Sequence, residues 1–502
     1  MKTADIIVLT AYLAIVLGIG CCFARRSKTS EGFMKADGRL PGWVIGLSLF
    51  GTYLSSNTFI GVPGKAYAGN WNAFVFSLSI PIAILIATKW FVKFYRDTGE
   101  ISAYEHLEKR FGVWARIYAV ICYLLTQIAR TATIMLGVAI GLQQITGWDL
   151  TSIILVSGIL VTAYTLIGGI EAVIWTDAIQ SIVLTLGAIL VIGTILAKHP
   201  DGVSSALAIA VDNEKFSLGS WNITDLATST VWIVLVYGLF INLTNFGIDQ
   251  NYIQRYHTAQ SDAVANRSLW IGAMLYLPVS LLFFLIGSLL FSFYKAMPEE
   301  IAAIEKMAGE GKFEDSILPH FMAHHLPTGL GGLIIAALAA AAMSTIDTSL
   351  NSSATITLKD LWTRLFRRAQ AVTEREAILV LRVSTIVWGI IGTSTALLLT
   401  SKTKNILDIW WQLSGIFAGG MLGLFLLGLI VKRAGNAAAA TGVTLGVIVI
   451  FWLSSSWIPE KLQPMIHSNL TIVVGTLTIF LAGLFVSTFM ISKKNHRRNH
   501  LN

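Results

Sequence analysis

The stretch Ala336–Asn351 combines small side chains with oxygen-bearing ones, inside a segment that is apolar enough to cross a membrane. Four of its residues recur at spacings of three and four and therefore share one face of a helix: Ala341, Ser344, Thr345 and Thr348. Asp347 borders that face, and a carboxylate at this depth costs roughly 2.5–3.5 kcal/mol, so it needs a partner. Small, oxygen-rich and acidic surroundings favour a hard cation such as sodium.

Two further charged residues lie at membrane depth. Arg130 is in the middle of the apolar segment 115–141. One interpretation is a structural ion pair with Asp177 or Asp347, and the other is a bidentate clamp for the carboxylate of a bound solute. Asp177 begins the segment 173–197, where it either compensates the helix dipole or serves as a cation ligand or gate partner.

Polar residues interrupt two of the apolar segments. They crowd the segment 42–61 from Gly51 to Thr58, and a second group lies at the middle of the segment 229–252: Asn242, Thr244, Asn245 and Gly247. Such interruptions are tolerated at membrane depth only where they line a cavity or are buried in protein. Because the two lie five segments apart, they predict two inverted five-helix repeats, each with a broken first helix. The alternative is two ordinary helices whose polar faces pack on neighbours.

The composition indicates that these residues belong to a membrane protein. The chain has 502 residues, of which 55% are hydrophobic and 13% charged, a balance that no soluble domain of this length shows. The sequence predicts one all-α polytopic membrane domain over residues 1–502, with 42–197 and 229–431 as the two repeats and 6–24 and 438–491 as peripheral helices. At roughly 20 residues per span, thirteen apolar segments are long enough: 6–24, 42–61, 71–95, 115–141, 150–168, 173–197, 229–252, 269–294, 329–354, 377–400, 406–431, 438–455 and 469–491.

Basic residues in the short loops predict the orientation. They fall on one side of the membrane if thirteen spans are correct, which places the N-terminus outside and the C-terminus in the cytoplasm of a cell-membrane protein: Arg25, Arg26, Lys28, Lys35, Arg39, Lys93, Arg96, Lys109, Arg110, Lys359, Arg364, Arg367, Arg368, Arg375, Lys493, Lys494, Arg497 and Arg498. This bias accounts for the net charge of +8, so nucleic acid is not an expected partner. The expected partners are the lipid bilayer, sodium and a small solute, with no obligatory protein partner. Hydrolase and nucleotide-binding motifs are absent, and we expect no enzyme activity.

Four ordered motifs resemble the sodium:solute symporter family, and they run through nearly the whole chain: LFGTYLSSNTFIGVPGKAYAGNW, YTLIGGIEAVIWTDAIQ, NFGIDQNYIQRY and AALAAAAMSTIDTSLNSSATI. The resemblance implies a leucine-transporter-type fold of five plus five helices with flanking helices, and symport by alternating access. It also implies a sodium site built from backbone oxygens and hydroxyls of Gly51, Leu54, Ala341, Ser344 and Thr345. A possible second sodium site, as in sialic acid transporters, corresponds to Asp177, Ser344, Asp347 and Thr348. The aspartate departs from the hydroxyl residue usual at position 347.

The same resemblance implies a solute pocket. Arg130 matches an arginine that grips the carboxylate in sialic acid transporters, and the other candidate contacts are Tyr53, Ser55, Thr58, Ser77, Asn242 and Phe246. Tyr53 and Ser77 replace a hydroxyl and a glutamine of those relatives, whereas Asn242 matches a sugar contact of the sugar transporters. Arg130 favours a carboxylated sugar such as sialic acid. The alternatives are a neutral sugar, or a proton-coupled carrier that uses Asp347.

Overall fold

The computed structural model describes residues 3–24, 29–308, 313–367, 370–401, 405–455, 458 and 465–499. These residues are almost entirely helical and form no strand, apart from one isolated bridge between Leu40 and Ala259. Four basic residues used for the orientation prediction lie outside the described ranges: Arg25, Arg26, Lys28 and Arg368.

The first half of the chain contains the helices α3 to α10 of the first predicted repeat, preceded by α1 and α2 and followed by α11. These helices are α1 (Thr3–Ala24), α2 (Ser30–Lys35), α3 (Gly42–Tyr53), α4 (Val62–Ala68), α5 (Val75–Leu78), α6 (Ile80–Ile86), α7 (Val92–Thr98), α8 (Glu105–Phe111), α9 (Val113–Thr146), α10 (Leu150–Lys198) and α11 (Gly202–Asp212). Short 3₁₀ and π turns join several of them, so that residues 71–98 form one continuous span.

The second half repeats the pattern of a broken helix followed by long spans. Its helices are α12 (Val231–Ile248), α13 (Gln250–Thr258), α14 (Asp262–Lys295), α15 (Pro298–Ala308), α16 (Phe313–His325), α17 (Leu330–Ile356), α18 (Glu374–Leu399), α19 (Ile406–Ile430), α20 (Asn436–Ser454) and α21 (Leu470–Asn499). A π-helical segment, Thr357–Phe366, continues α17.

Among the described residues, ten helices are long and apolar enough to cross a membrane. Every one of the thirteen predicted segments falls on helical residues, but α3 with α4, the short apolar part of α1 and the first half of α10 are not among the ten. A multi-span, all-helical membrane protein is therefore confirmed, whereas the count of thirteen stays a prediction.

The long helix α10 is two helices joined at a glycine. Gly169 has φ 59° and ψ −174°, outside the helical region. Glycine adopts such angles readily because it has no Cβ to clash with the backbone, whereas other residues are strained there. This bend separates the predicted segments 150–168 and 173–197, so Asp177 belongs to the second helix rather than to the connection.

Both predicted helix breaks are present, but the second lies further along the chain than the polar residues suggested. The first break follows Tyr53, where Leu54 is extended (φ −89°, ψ 112°). The second break is at Asp249 (φ −82°, ψ 119°), and Asn242, Thr244 and Gly247 stay helical. Helix α12 continues past these residues, and two of their side chains are hydrogen-bonded: Thr244 Oγ1 donates to the Phe240 carbonyl at 2.9 Å, and Asn242 Nδ2 donates to Ser79 Oγ at 3.0 Å.

Helix α17 is the central element of the bundle. It packs against α1, α3, α9, α10 and α18, and its residues from 340 to 356 are all buried. A helix surrounded in this way must have small or internally satisfied side chains, which explains the alanines and hydroxyls noted in the sequence. Its face towards α3 meets the first helix break.

Candidate ion and solute sites

The first helix break turns backbone oxygens towards α17. Because α3 ends at Tyr53, the last backbone bond of the helix runs from the Leu54 N–H to the Phe50 carbonyl at 3.2 Å, and the carbonyls that follow have no helical N–H partner. The chain becomes helical again when the Ser55 carbonyl accepts the N–H groups of Thr58 at 3.0 Å and Phe59 at 2.9 Å. The carbonyls of Gly51 and Leu54 therefore remain available to groups on α17.

Helix α17 supplies the rest of an oxygen cluster. The Ser344 hydroxyl lies 3.3 Å from the Gly51 carbonyl oxygen, and the Thr345 hydroxyl lies 3.4 Å from that of Leu54 and 3.2 Å from that of Ala341. Leu54, Ala341, Ser344 and Thr345 are at most 2% exposed, and Gly51 is also buried. Three carbonyls and two hydroxyls in a dry site are the ligands that a hard cation prefers. The structure thus brings together all five predicted ligands.

Gly51 allows this close approach. A Cβ at position 51 would lie 2.8 Å from Ser181 Oγ and 3.6 Å from Asp177 Cβ, both on α10. A larger residue would force the Ser181 hydroxyl, which donates to the Leu47 carbonyl at 3.0 Å, to move. The glycine therefore fixes the position of the carbonyl that faces Ser344.

The predicted second site is organised around an arginine that the sequence analysis did not single out. Asp177 Oδ2 accepts hydrogen bonds from Ser48 at 2.5 Å and from Arg255 Nη2 at 2.8 Å, and the same nitrogen donates to Thr348 Oγ1 at 2.9 Å. Arg255 and Asp177 are fully buried. The guanidinium therefore bridges two of the predicted ligands. Asp347 accepts the Thr348 N–H at 2.6 Å.

This ion pair corrects the expected partner of Asp177. Arg130 was one predicted partner, but Arg255 of α13 pairs with Asp177, and Arg130 pairs with Asp249 instead. The sequence could not distinguish these pairings, because all four charges lie in apolar or amphipathic segments, and the partners of each pair are far apart in the chain.

We expect Asp177→Asn to lower the free energy of unfolding by about 3–5 kcal/mol, because it leaves the Arg255 charge buried without its counter-charge. The thermal unfolding temperature in detergent measures this loss. Glu31→Gln is the matched control, since it breaks an exposed pair with Lys35 and should change stability by less than about 1 kcal/mol. Equal unfolding temperatures for the two variants would contradict the importance of the buried pair.

A cavity of about 80 Å³ lies between the two helix breaks. Five of the predicted solute contacts line it: Tyr53, Ser55, Thr58, Ser77 and Arg130. Thr345 also lines the cavity, so one hydroxyl belongs both to the oxygen cluster and to the cavity wall. Pockets that hold drug-sized ligands have about 300–1,000 Å³. A sugar-sized solute therefore requires the wall to move.

Asn242 and Phe246 do not line this cavity, so their contact with solute stays a prediction that the structure does not support directly. Asn242 is fully buried, accepts a hydrogen bond from the Tyr53 hydroxyl at 2.8 Å and donates to Ser79 at 3.0 Å. Phe246 is also fully buried and packs on Tyr53, with ring centroids 5.7 Å apart. Both residues therefore hold Tyr53 in position from behind.

Arg130 is only partly neutralised. Its Nη2 lies 3.3 Å from Asp249 Oδ2, and its guanidinium carbon lies 5.2 Å from the centroid of the Trp410 ring. Its Nη1 is buried and has no hydrogen-bond partner among the residues that the structure describes. An unsatisfied, charged donor beside a cavity is a ready site for an anionic group.

Sequence reasoning missed Asp249 altogether. It is the one carboxylate in the segment 229–252, and it precedes Gln250 and Asn251 in the pattern of an N-cap. That signal was available and would have placed the second break correctly. Asp249 does not line the cavity itself. The lining residues that were not among the predicted solute contacts include Asn57, Asn245, Tyr252, Tyr276, Ser280, Trp410 and Trp411.

Trp411 lies between this cavity and a second one of about 860 Å³. Its ring stacks on Phe76, with centroids 5.6 Å apart and planes at 26°, and its carbonyl accepts the Tyr237 hydroxyl at 3.2 Å. The larger cavity is lined by polar groups, among them Lys65, Asn405 and Gln412. Trp411 and Ala73 line both cavities and therefore form part of the wall between them.

The comparisons with known proteins decide the family. Residues 33–446 match the model of the family described as Sodium:solute symporter family. The chain belongs to the sodium:solute symporter family. This confirms the resemblance that the four motifs indicated.

Its relatives cover the chain almost completely. The sequence is 35% identical to the sodium/sialic acid symporter SiaT of Proteus mirabilis, over 97% of this chain and 96% of the relative. It is 33% identical to the sodium/sialic acid symporter NanT of Aliivibrio fischeri, over 98% and 94%. The solved structure of a Na⁺-coupled sialic acid symporter, in a substrate-bound outward-open state, matches with a TM-score of 0.87 and 32% identity, covering 97% of this chain and 98% of that one.

These findings confirm the expected class and fold. The symporter is a sodium-coupled membrane carrier with a small-molecule substrate, and its relatives are transporters rather than enzymes. The all-helical fold with two broken helices is that of the inverted-repeat carriers.

Proposed function

We propose that this symporter couples the entry of sodium to the uptake of a small carboxylated sugar, with sialic acid as the leading candidate. Arg130 carries the proposal, because its buried Nη1 has no hydrogen-bond partner among the described residues and the residue lines a cavity rich in hydroxyls. A guanidinium fork binds a carboxylate with two parallel hydrogen bonds. The relatives named above as sialic acid symporters favour the same substrate class.

The sodium ion would bind in the oxygen cluster of Gly51, Leu54, Ala341, Ser344 and Thr345. Thr345 supports coupling, since a cation on its hydroxyl and a solute in the cavity would restrain the same side chain. If bound sodium raises the affinity for the solute, bound solute must raise the affinity for sodium by the same factor, because such coupling is reciprocal. Sodium would also hold α3 and α17 together and so complete the cavity.

A second sodium ion at Asp177, Asp347 and Thr348 is a weaker part of the proposal. The related sialic acid symporter of known structure has a sodium site reported as new. In this chain, however, the Arg255 guanidinium donates to both Asp177 and Thr348. A sodium ion at this site would have to displace the positively charged Arg255 guanidinium. We therefore expect one sodium ion per transport cycle.

One sodium ion provides enough driving force. Its movement down about 100 mV yields about 2.3 kcal/mol, and a tenfold concentration ratio adds about 1.4 kcal/mol. Together they sustain a solute gradient of a few hundredfold for each ion.

We place the protein in the cell membrane with its N-terminus outside. Glu108 of α8 forms ion pairs with Arg116 and with Arg364, and Arg116 also pairs with Asp360. These contacts put the basic loops after the third and ninth predicted segments at the same end of the molecule. Basic loops favour the cytoplasmic side.

Uptake into proteoliposomes tests the function. An inward sodium gradient should drive accumulation of sialic acid, and replacing sodium with choline at fixed pH should abolish it. Uptake that persists in choline and depends on a proton gradient would favour the proton-coupled alternative with Asp347. Accumulation of neutral hexoses in preference to sugar acids and monocarboxylates would overturn the anion assignment.

A further inference from the structure

Asp249 joins two tasks at the second helix break. Its Oδ1 accepts the N–H of Asn251 at 2.8 Å and so caps α13, and its Oδ2 accepts a hydrogen bond from Arg130 Nη2 at 3.3 Å. The residue is 4% exposed. Because the cap fixes the carboxylate, its distance from Arg130 is set by the backbone of the break rather than by a free side chain.

The pair that Asp249 makes with Arg130 is a poor one. A good charge-assisted bond between these groups is about 2.7–2.9 Å long and is often doubled. Here a single bond of 3.3 Å reaches one nitrogen, and the other nitrogen has no hydrogen-bond partner among the described residues. The cap explains this geometry, because turning towards Arg130 would break the bond to Asn251. The guanidinium is thus bound by Asp249, but one of its nitrogens can still donate a hydrogen bond to another group.

We propose that Asp249 is an internal competitor that sets the affinity of Arg130 for the solute carboxylate. The inference rests on the proposed binding of an anionic solute by Arg130 and adds a second residue to it. A solute carboxylate that takes the Arg130 fork must weaken the bond to Asp249 and approach a fixed negative charge. The competitor cannot leave, since it caps α13, and it pairs with Arg130 again when the solute departs.

Two consequences follow for selectivity. A solute without a carboxylate cannot replace Asp249 as the counter-charge of Arg130, so the pair should disfavour neutral sugars. An anionic solute should bind less tightly than an isolated arginine would allow, which keeps its release possible. Asp249 is therefore a specificity-determining residue that acts through Arg130.

Asp249→Asn separates the two tasks. Asparagine is an equally good N-cap, so α13 keeps its first hydrogen bond while the competing charge disappears. At saturating sodium, isothermal calorimetry should show that sialic acid binds to Asp249→Asn at least about fivefold more tightly than to the wild type. A factor of about five is at the low end of typical coupling between sites. The KM for uptake should fall by the same factor. Affinity for a neutral hexose should not increase with it.

Asp249→Ser is the second variant, because it also keeps a capping oxygen and removes the charge. Thermal unfolding reports whether each variant is folded, and either folded variant suffices. Unchanged or weaker sialic acid binding in a folded variant would overturn the proposal. Failure of the proposed function looks different: the wild type would then bind no carboxylated solute, or would bind it independently of Arg130.

Discussion

Sodium-dependent uptake should be lost when Ser344 and Thr345 are both replaced by alanine. The two hydroxyls lie 3.3 and 3.4 Å from the carbonyl oxygens of Gly51 and Leu54, and they are the two side-chain oxygens of the cluster. A hydrogen bond to a charged group contributes roughly 1.5–3 kcal/mol. If each hydroxyl–sodium contact is of similar strength, removing both should raise the sodium concentration for half-maximal uptake at least about 100-fold.

Sodium-dependence curves in proteoliposomes measure the effect. Ser349→Ala is the matched control, because Ser349 is buried on the same helix but its hydroxyl has no hydrogen-bond partner in the described part of the chain. Thr345→Ser should retain most uptake, since it keeps the oxygen. Normal sodium dependence in the double variant would refute this cation site and leave the family assignment untouched.

The second large effect is expected at Arg130. Arg130→Ala should reduce uptake of a carboxylated solute at least about 100-fold, because two charge-assisted hydrogen bonds are lost at once. Arg130→Lys keeps the positive charge but cannot form two parallel hydrogen bonds to a carboxylate, so it should retain only part of the affinity for the solute. Uptake at low solute concentration and equilibrium binding both measure the change.

Folding needs its own control in this experiment. Removing Arg130 alone leaves Asp249 buried without its ion-pair partner, which is itself destabilising. The double variant Arg130→Ala/Asp249→Asn removes both charges, keeps an N-cap for α13, and should be folded yet still fail to bind the anion. Full sialic acid uptake by that double variant would show that the carboxylate is recognised elsewhere.

The spacing of Ser344 and Thr345 is a local property, so the sequence alone predicted that the two hydroxyls share one helix face. The resemblance to the family supplied the opposite side, Gly51 and Leu54, and the structure places these groups in contact. Their role as sodium ligands stays a prediction. Asn242 and Phe246 were assigned to the solute through the resemblance, and in the structure both contact Tyr53.

The sequence by itself determined that this chain is a helical membrane carrier with two broken spans, one of them correctly placed. Hydropathy and polar interruptions are properties of residues that are neighbours in the chain, so they can be recognised from the sequence alone. Only the tertiary structure decided the charge pairs. Arg130 meets Asp249 across 119 positions and Asp177 meets Arg255 across 78, and no local pattern chooses among buried charges that distant. Packing of α9, α10 and α13 decides it, because each buried charge pairs with whichever opposite charge the bundle brings within reach.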